Sequence, residues 1–263
     1  MTKLKLTAAI ESAIENGEKA FIPYIMAGDG GLELLQEQIL FLQEAGATAI
    51  EVGIPFSDPV ADGPTIQRAG ERALMHGTNL RAIVKELDSF HEKVQIPLIL
   101  MTYFNPILSY GLESFSNDCQ RIGIAGLIVP DVPVEESEQL KVALQDTDIA
   151  LVPLVSLTSP PERIAKITSL GEGFIYAVTV NGITGVRNGF DVQLEQHFKR
   201  LKELSSIPVL AGFGISTPDQ VKSMGAITDG VIVGSAIVEA LHLNNKEKVL
   251  ELIQASKKQV FIS

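Results

Sequence analysis

The chain alternates between two kinds of segment, and this alternation restricts its fold more than any other feature of the sequence. Short apolar runs rich in Val, Ile and Phe are each followed by a longer segment with the periodicity of an amphipathic helix. Within each run the apolar residues are nearly continuous, as in parallel strands that are buried on both faces. The predicted strands are 20–27, 49–54, 96–104, 126–129, 149–157, 174–180, 207–212 and 230–233.

Eight strand–helix pairs in strict order predict a parallel sheet. We expect this sheet to close into a (β/α)8 TIM barrel, an α/β fold, and the alternative is an open doubly wound sheet. An extra N-terminal helix over residues 6–15 precedes the first strand and is expected to cover the bottom of the barrel. Because the sequence has no linker or low-complexity segment, residues 1–263 are predicted to form a single domain.

The predicted helices have start signals in two places. A hydroxyl residue stands before proline at Ser159 and at Thr217, where it would cap the first turn of the following helix. The helical segments are 32–44, 64–91 in two pieces, 112–121, 135–145, 161–170, 192–204, 218–224 and 246–260.

The charge balance makes some partners poor candidates. The 32 acidic and 21 basic residues give a formal net charge of -11, which repels nucleic acid and anionic lipid at long range. No apolar run approaches the about 18 residues that a membrane-spanning helix needs. The single cysteine cannot form an internal disulfide, in keeping with a reducing compartment. We therefore expect a soluble, cytoplasmic protein with no nucleic-acid or membrane partner.

Several kinds of catalytic group can be set aside because of their position. The four histidines and the cysteine fall in or beside predicted helices, which form the outer ring of a barrel. No lysine lies in a predicted strand, which argues against a Schiff base, and no His, Cys, Asp or Glu cluster has the spacing of metal ligands. Acid–base chemistry by carboxylates remains. The residues concerned are His76, His91, His197, His242 and Cys119.

Glu51 is the first candidate carboxylate, because it lies inside the second predicted strand. A charge is unfavourable there unless the side chain points into a functional cavity. Desolvation would raise the pKa of the carboxyl group toward the range in which it exchanges protons near neutral pH. The alternative is a structural ion pair.

Asp62 is the second candidate, and it lies in the loop after the same strand. It could orient a polar group of a ligand or cap the helix that begins at Pro64, and the two roles are compatible. Asp131 ends the fourth strand between two prolines, where turn formation explains it adequately.

Glycines cluster after the late strands. Gly212 and Gly214 follow strand seven, and Gly234 and Ser235 follow strand eight, where barrels of this kind often bind phosphate through backbone amides and a helix N-terminus. The alternative is that these glycines only turn strands into helices. The long loop 179–191 also contains three glycines, so it is predicted to be either a lid over the ligand or a flexible surface loop.

A resemblance to a known family supports the same positions. Residues 49–67, AIEVGIPFSDPVADGPTIQ, resemble the signature of the tryptophan synthase alpha chain, and DVP at 131–133, GITG at 182–185, GFGI at 212–215 and GSA at 234–236 follow in the family's order. The likeness covers essentially the whole chain. Two departures are visible: Tyr24 stands where many members have Phe, and Gly30 stands where many have Pro.

The resemblance implies a role for each site residue. Glu51 would be the catalytic acid–base, and Asp62 would hold the N–H of an indole ring. The implied phosphate-binding residues are Gly185, Gly214, Gly234 and Ser235. The implied indole-pocket residues are Tyr24, Met101, Ile128, Tyr176, Thr184 and Phe213.

The resemblance also implies a reaction and a partner. The reaction would be retro-aldol cleavage of indole-3-glycerol phosphate, a small-molecule phosphate substrate, to indole and D-glyceraldehyde 3-phosphate in L-tryptophan biosynthesis. The chain itself would need no metal or cofactor. It would work with a tryptophan synthase beta subunit in an α2β2 heterotetramer, pyridoxal phosphate would be bound only by that partner, and residues 55–58 would face it. A solvated rim of the active site is the alternative for this loop.

Three other functions remain open on the sequence. A stand-alone lyase that releases free indole would look almost identical, and it differs in its response to a beta subunit. A phosphate-substrate isomerase with the same barrel would need a catalytic constellation that the chain lacks. A regulatory module that binds an indole-like phosphate would not need Glu51 and Asp62, and an assay of indole release distinguishes it.

Overall fold

A single parallel sheet forms the centre of the molecule. The computed structural model describes residues 4–156, 158–178, 190–212 and 214–257, without the side chains of 190–193. The strands in these ranges are β1 Ala20–Met26, β2 Ile50–Gly53, β3 Leu98–Met101, β4 Gly126–Ile128, β5 Ala150–Leu151, β6 Leu154–Ser156, β7 Ile175–Val178, β8 Val209–Gly212 and β9 Gly230–Val233. These nine strands are hydrogen-bonded in the order β5-β4-β3-β2-β1-β9-β8-β7-β6, and all their pairings are parallel.

The sheet closes into a ring through one interrupted strand. Its two ends, β5 and β6, are consecutive pieces of the single predicted run 149–157 and flank Pro153. Proline has no N–H to donate to a ladder, so the strand is broken there. On one side Val152 N donates to Leu127 O at 2.9 Å, and on the other Tyr176 N donates to Pro153 O at 3.0 Å. The predicted eight-stranded (β/α)8 barrel is therefore confirmed, and the open sheet is excluded.

Helices surround this ring. Thr217 caps α10, Pro218–Ile227, as predicted, and it also forms a capping box with Gln220, which was not predicted. The expectation for Ser159 is wrong, because Pro160 occupies the N-cap position of α8, Pro161–Ser169, and no side chain caps that helix. The helices are α1 Leu4–Glu15, α2 Leu35–Glu44, α3 Pro64–Met75, α4 Leu80–Phe90, α5 Phe104–Tyr110, α6 Leu112–Arg121, α7 Glu138–Leu144, α8 Pro161–Ser169, α9 Phe190–Leu204, α10 Pro218–Ile227, α11 Ser235–His242 and α12 Lys246–Gln254, with 3-10 turns at Leu32–Leu34 and His91–Lys93.

Helix α5 was not predicted from the sequence. The sequence predicts a strand over 96–104, but the strand ends at Met101 and a helix begins at Phe104. The carboxylate of Asp131 accepts a hydrogen bond from Phe104 N at 3.1 Å, although Asp131 lies in the next loop of the barrel. Asp131 therefore does more than form a turn, because it satisfies a free amide at the start of α5.

The extra N-terminal helix α1 covers the bottom of the barrel, as expected. Leu6 and Ile10 are fully buried and pack with inward-facing residues such as Ala20 and Ala49 near the strand starts. The Thr7 hydroxyl donates to Gly173 O at 2.7 Å, which ties the helix to the turn before β7. With the bottom closed, a ligand can enter the barrel only from the carboxyl ends of the strands.

Alternation along the strands decides which side chains face the interior. Ile50 and Val52 of β2 pack outward against the helices, so Glu51 points inward. Tyr24 of β1 is paired with Glu51 in the parallel ladder and points to the same face. Glu51 and Tyr24 are therefore neighbours inside the ring. None of the helices in the described ranges has the length and apolar character that a bilayer crossing requires.

Candidate active site

A cavity of about 300 Å³ opens at the carboxyl ends of the strands. It combines two carboxylates, two tyrosines, apolar side chains and a glycine- and serine-rich end, and no Lys or Arg is among the described residues that line it. Its described lining is Tyr24, Glu51, Ala61, Asp62, Gly63, Ile66, Met101, Tyr176, Gly214, Ile215, Ser216, Ile232, Gly234 and Ser235.

Glu51 is a buried carboxyl group without a partner in the described part of the chain. Glu51 is 1% exposed, and neither of its carboxylate oxygens has a hydrogen-bond partner among the described residues. The structural ion pair considered from the sequence is therefore absent among the described residues. Desolvation, and secondarily the charge of Asp62, raise the pKa of Glu51 to about 8. At neutral pH this group is mostly a protonated acid.

Asp62 lies in the loop between β2 and α3 and is held by Tyr103. The Tyr103 hydroxyl donates to the Asp62 carboxylate and accepts a hydrogen bond from Ala61 N at 2.9 Å. Helix α3 has Gly63 at its N-cap without a side-chain cap, so the capping role considered for Asp62 is wrong. Desolvation raises the pKa of Asp62 to about 6, and the Tyr103 hydrogen bond opposes that shift.

The two carboxyl groups therefore differ in charge at neutral pH. With pKa values of about 8 and about 6, Glu51 keeps its proton while Asp62 is mostly ionised. When the environments of two neighbouring carboxyl groups separate their pKa values in this way, one group stays a neutral acid at neutral pH while the other is an anion. The cavity thus offers a proton donor and a fixed negative charge side by side.

Two tyrosines line the walls because glycines make room for them. A Cβ atom on Gly53 would overlap the Tyr24 hydroxyl, and a Cβ atom on Gly212 would overlap the Tyr176 ring. Desolvation, together with the two carboxylates, raises the pKa of both tyrosines well above its usual value. Both hydroxyls therefore stay protonated over the physiological pH range.

The opposite end of the cavity is suited to an anion. Gly214 has a left-handed backbone with φ of 74°, and the space where its Cβ would lie is empty. Gly234 is the N-cap of α11, and Ser235 begins that helix. The first amides of a helix have no carbonyl one turn earlier and point outward with the positive end of the helix dipole. This end can bind a phosphate without a cationic side chain.

The cavity brings together most of the site residues chosen from the sequence. The predicted site residues that line it are Glu51, Asp62, Tyr24, Met101, Tyr176, Gly214, Gly234 and Ser235. Ile128 is not part of the described lining and is fully buried in the barrel interior, in the cluster that contains Tyr176 and borders Met101. Gly185, Thr184 and Phe213 lie outside the described residues, as does nearly all of the predicted lid 179–191.

Sequence reasoning missed Tyr103 and several lining residues. Tyr103 falls at the end of the predicted strand 96–104, and nothing in its sequence neighbourhood indicates that it contacts a loop about 40 positions earlier in the chain. Ile66 and Ile215 carry no signal beyond their hydrophobicity. The lining residues not named in advance are Ala61, Gly63, Ile66, Ile215, Ser216 and Ile232.

The groups set aside from the sequence lie away from this cavity. His76 ends α3, His197 lies in α9, His242 lies in α11, and Cys119 is buried in α6. Over the described ranges, no three His, Cys, Asp or Glu side chains are grouped as metal ligands would be. Three other cavities, of about 600, 770 and 460 Å³, are larger, but neither Glu51 nor Asp62 lines any of them.

Comparisons with known proteins agree with this geometry. The family model described as tryptophan synthase alpha chain matches residues 10–261. The tryptophan synthase alpha chains of Bacillus thuringiensis subsp. konkukian (strain 97-27) and Bacillus anthracis are each 54% identical over 250 residues, covering 95% of this chain and 97% of theirs.

Solved structures give the same result. A structure of Mycobacterium tuberculosis tryptophan synthase superimposes with a TM-score of 0.88 at 33% identity, covering 97% of this chain and 99% of that one. Tryptophan synthase subunit alpha from Legionella pneumophila str. Paris gives 0.86 at 32% identity, covering 97% and 98%. From its sequence, its barrel and its paired carboxyl groups, the chain belongs to the tryptophan synthase alpha chain family.

Proposed function

We propose that this chain, as an alpha chain of tryptophan synthase, cleaves indole-3-glycerol phosphate to indole and D-glyceraldehyde 3-phosphate, with Glu51 and Asp62 as its catalytic residues. The observation that supports this most directly is the pair of carboxyl groups in one cavity, the buried Glu51 with a pKa of about 8 and the half-buried Asp62 with a pKa of about 6. The apolar wall next to them fits an indole ring, and the amide-lined end fits a phosphate.

The charge states assign a role to each group. Glu51 starts as an acid and protonates C3 of the indole ring, which places positive charge on the ring nitrogen. Asp62, already ionised, stabilises that charge. Glu51 then accepts the proton of the C3′ hydroxyl, the C3–C3′ bond breaks, and its electron pair returns to the ring. The products are indole and an aldehyde, and Glu51 ends protonated as it began, so the proton balance closes.

With this chemistry the chain would need no cofactor of its own. The protonated ring accepts the electrons of the breaking bond, a role that a Schiff base or a metal has in other carbon–carbon lyases. The position of Asp62 beside the cavity, held by Tyr103, suits this demand because the positive charge develops on the substrate and not on the protein.

The activity of the chain should have a bell-shaped pH dependence. Below about pH 6 Asp62 becomes protonated and loses its charge, and above about pH 8 Glu51 loses the proton that it must donate. We expect kcat/KM for indole release to be highest between these values and to fall on both sides. A rate that keeps rising to pH 9.5 would contradict Glu51 as the initial acid. Because a phosphate monoester titrates near pH 6, an Asp62→Asn protein serves as the control for the acidic limb.

A negative charge at Gly234 should weaken substrate binding at the phosphate end. A Cβ atom there would make only ordinary contacts, 3.8 Å from both Ile66 and Tyr24, so a short side chain fits. We expect Gly234→Asp to raise KM by about 100-fold, since like charges a few ångströms apart repel by a few kcal/mol near a protein surface. Gly234→Asn, of the same size but neutral, is the matched control. Equal KM values for the two variants would show that phosphate does not bind there.

The partner is a tryptophan synthase beta subunit in an α2β2 heterotetramer, and the loop between β2 and α3 would contact it. Ser57 and Asp58 are exposed in this loop, and Val60 is 83% exposed. The same loop carries Asp62 and is joined to Tyr103 through Ala61 N. A protein that binds the exposed side could therefore shift the catalytic aspartate, which provides a route for activation.

One assay tests the proposal. The purified chain is incubated with indole-3-glycerol phosphate, and indole is measured with and without a beta subunit. We expect slow release by the chain alone and a clear rise in rate on mixing. Absence of indole in both samples would favour a regulatory module, and an unchanged rate on mixing would favour the stand-alone lyase.

We further propose that the chain is one domain working in the cytoplasm, where its phosphorylated substrate is retained.

A further inference from the structure

Tyr24 extends along the wall that joins the two ends of the cavity. The Cβ atom that Gly234 lacks would lie 3.8 Å from Tyr24 Cβ and 4.0 Å from its Cγ, so the base of the side chain lies at the phosphate end. Its hydroxyl lies over Gly53 of β2, where any larger residue would overlap it. The residue is 5% exposed. The ring therefore covers the distance from the amide-lined end to the strand that carries Glu51.

The hydroxyl end of Tyr24 lies among the carboxyl groups. Tyr24 is the ladder partner of Glu51, and it interacts electrostatically with Asp62, Glu51, Tyr103 and Tyr176. All of these groups are acidic or phenolic, and the described lining contains no cation that would favour a phenolate. Burial and the two carboxylates raise the pKa of Tyr24 well above its usual value. Its hydroxyl is therefore a permanent hydrogen-bond donor inside the cavity.

The substrate must place its glycerol chain along this ring. If phosphate binds at Gly234 and Ser235 and indole lies against Met101 and Tyr176, the C3′ carbon lies between them, next to Glu51. We infer that the Tyr24 hydroxyl donates a hydrogen bond to the C3′ oxygen of the substrate, an inference that rests on the proposed function. Tyr24 would then contact the reacting atoms and would not serve only as an apolar wall.

The proposed contact acts in the bond-breaking step. Glu51 takes the proton of the C3′ hydroxyl, the carbon–oxygen bond becomes a carbonyl, and the C3–C3′ bond breaks. Negative charge grows on the oxygen during this step, and a donor fixed beside it stabilises that charge. Tyr24 keeps its own proton throughout, so the proton balance of the reaction does not change. Because Glu51 carries out the proton transfers by itself, the hydroxyl would be an additional stabilising group and not an essential one.

The test removes one oxygen atom. Tyr24→Phe keeps the ring over Gly53, and we expect it to lower kcat by about tenfold, as for the loss of one hydrogen bond to a developing charge. The affinity of the Tyr24→Phe protein for indole-3-propanol phosphate, which lacks both glycerol hydroxyls, should stay unchanged. Tyr110→Phe is the matched control, since Tyr110 donates to Asp118 at 2.6 Å in α6, outside the cavity. That variant should keep full activity.

The outcomes separate the two claims. A kcat within about twofold of the unmodified chain, or an equal loss of affinity for the deoxygenated analogue, would overturn the role of Tyr24 and leave the proposed function intact. A thermal unfolding curve for each variant shows whether a lower rate comes from loss of folded protein. If the unmodified chain releases no indole, the proposed function fails, and the role of Tyr24 fails with it.

Discussion

The Glu51→Gln protein is expected to release indole at least about 1,000-fold more slowly than the unmodified chain, because general acid–base groups typically contribute 10²- to 10⁴-fold and Glu51 acts in two steps. Glutamine has the same size and cannot give or take a proton. The site should still bind the substrate, since the phosphate end and the apolar wall remain in place. We therefore expect kcat to fall while the dissociation constant for indole-3-propanol phosphate changes little.

The stability of the same variant should change in the opposite direction. Glu51 has a pKa of about 8 in the folded protein and an ordinary value of 4.5 in the unfolded chain. Between pH 4.5 and pH 8 the unfolded chain has released this proton while the folded protein keeps it. The free energy of unfolding therefore falls by about 1.4 kcal/mol for each pH unit in this range. Glutamine does not titrate. The stability of the variant relative to the unmodified chain should therefore increase from pH 5 to pH 8.

Two measurements examine this expectation together. Indole release gives the loss of turnover, and urea unfolding at pH 5 and pH 8 gives the stability of the folded state. Glu113→Gln, on the exposed face of α6, is the matched control and should change neither. A Glu51→Gln protein that retains a tenth of the activity would remove Glu51 from the proton transfers. A stability difference that does not depend on pH would show that Glu51 is not a buried acid.

The barrel could be predicted because the burial of each strand on both faces produces a hydrophobic pattern that is local in the sequence. Each strand of a parallel sheet covered by helices needs apolar residues in succession, and these runs are visible without any knowledge of their neighbours. Glu51 stands out for the same reason, since it interrupts such a run. Pro153 shows the limit of this logic. Its run was correctly placed in the barrel, but the break into β5 and β6 follows from a missing N–H in a ladder whose partners lie elsewhere in the chain.

Side-chain partners from other loops could not be predicted in the same way. Asp131 caps α5 across a gap of 27 residues, and Tyr103 holds Asp62 and Ala61 from the loop after the neighbouring strand. Both contacts depend on how adjacent loops meet at the mouth of the barrel. The sequence around Asp131 is typical of an ordinary turn, and the sequence around Tyr103 is typical of the end of a strand. The sequence therefore identifies which carboxylates face the cavity, and the tertiary structure shows what positions them.

Replacing Asp62 by Asn should reduce turnover by about 100-fold or more, because a fixed charge aimed at a developing charge in a buried site is typically a large part of catalysis. Asparagine keeps an oxygen that can accept the Tyr103 hydrogen bond, so the loop is expected to keep its position. What is lost is the negative charge that stabilises the positively charged ring.

The same substitution should also change the pH profile in a predictable direction. The charge of Asp62 helps to raise the pKa of Glu51, so its removal favours ionisation of Glu51 and lowers that pKa from about 8. The alkaline limb of the residual activity should therefore move to lower pH, and the acidic limb assigned to Asp62 should disappear. A packing defect would reduce the rate at every pH without moving either limb. An alkaline limb that stays at the same pH would show that the charge of Asp62 does not affect the pKa of Glu51. Desolvation would then be the only cause of the raised pKa of Glu51.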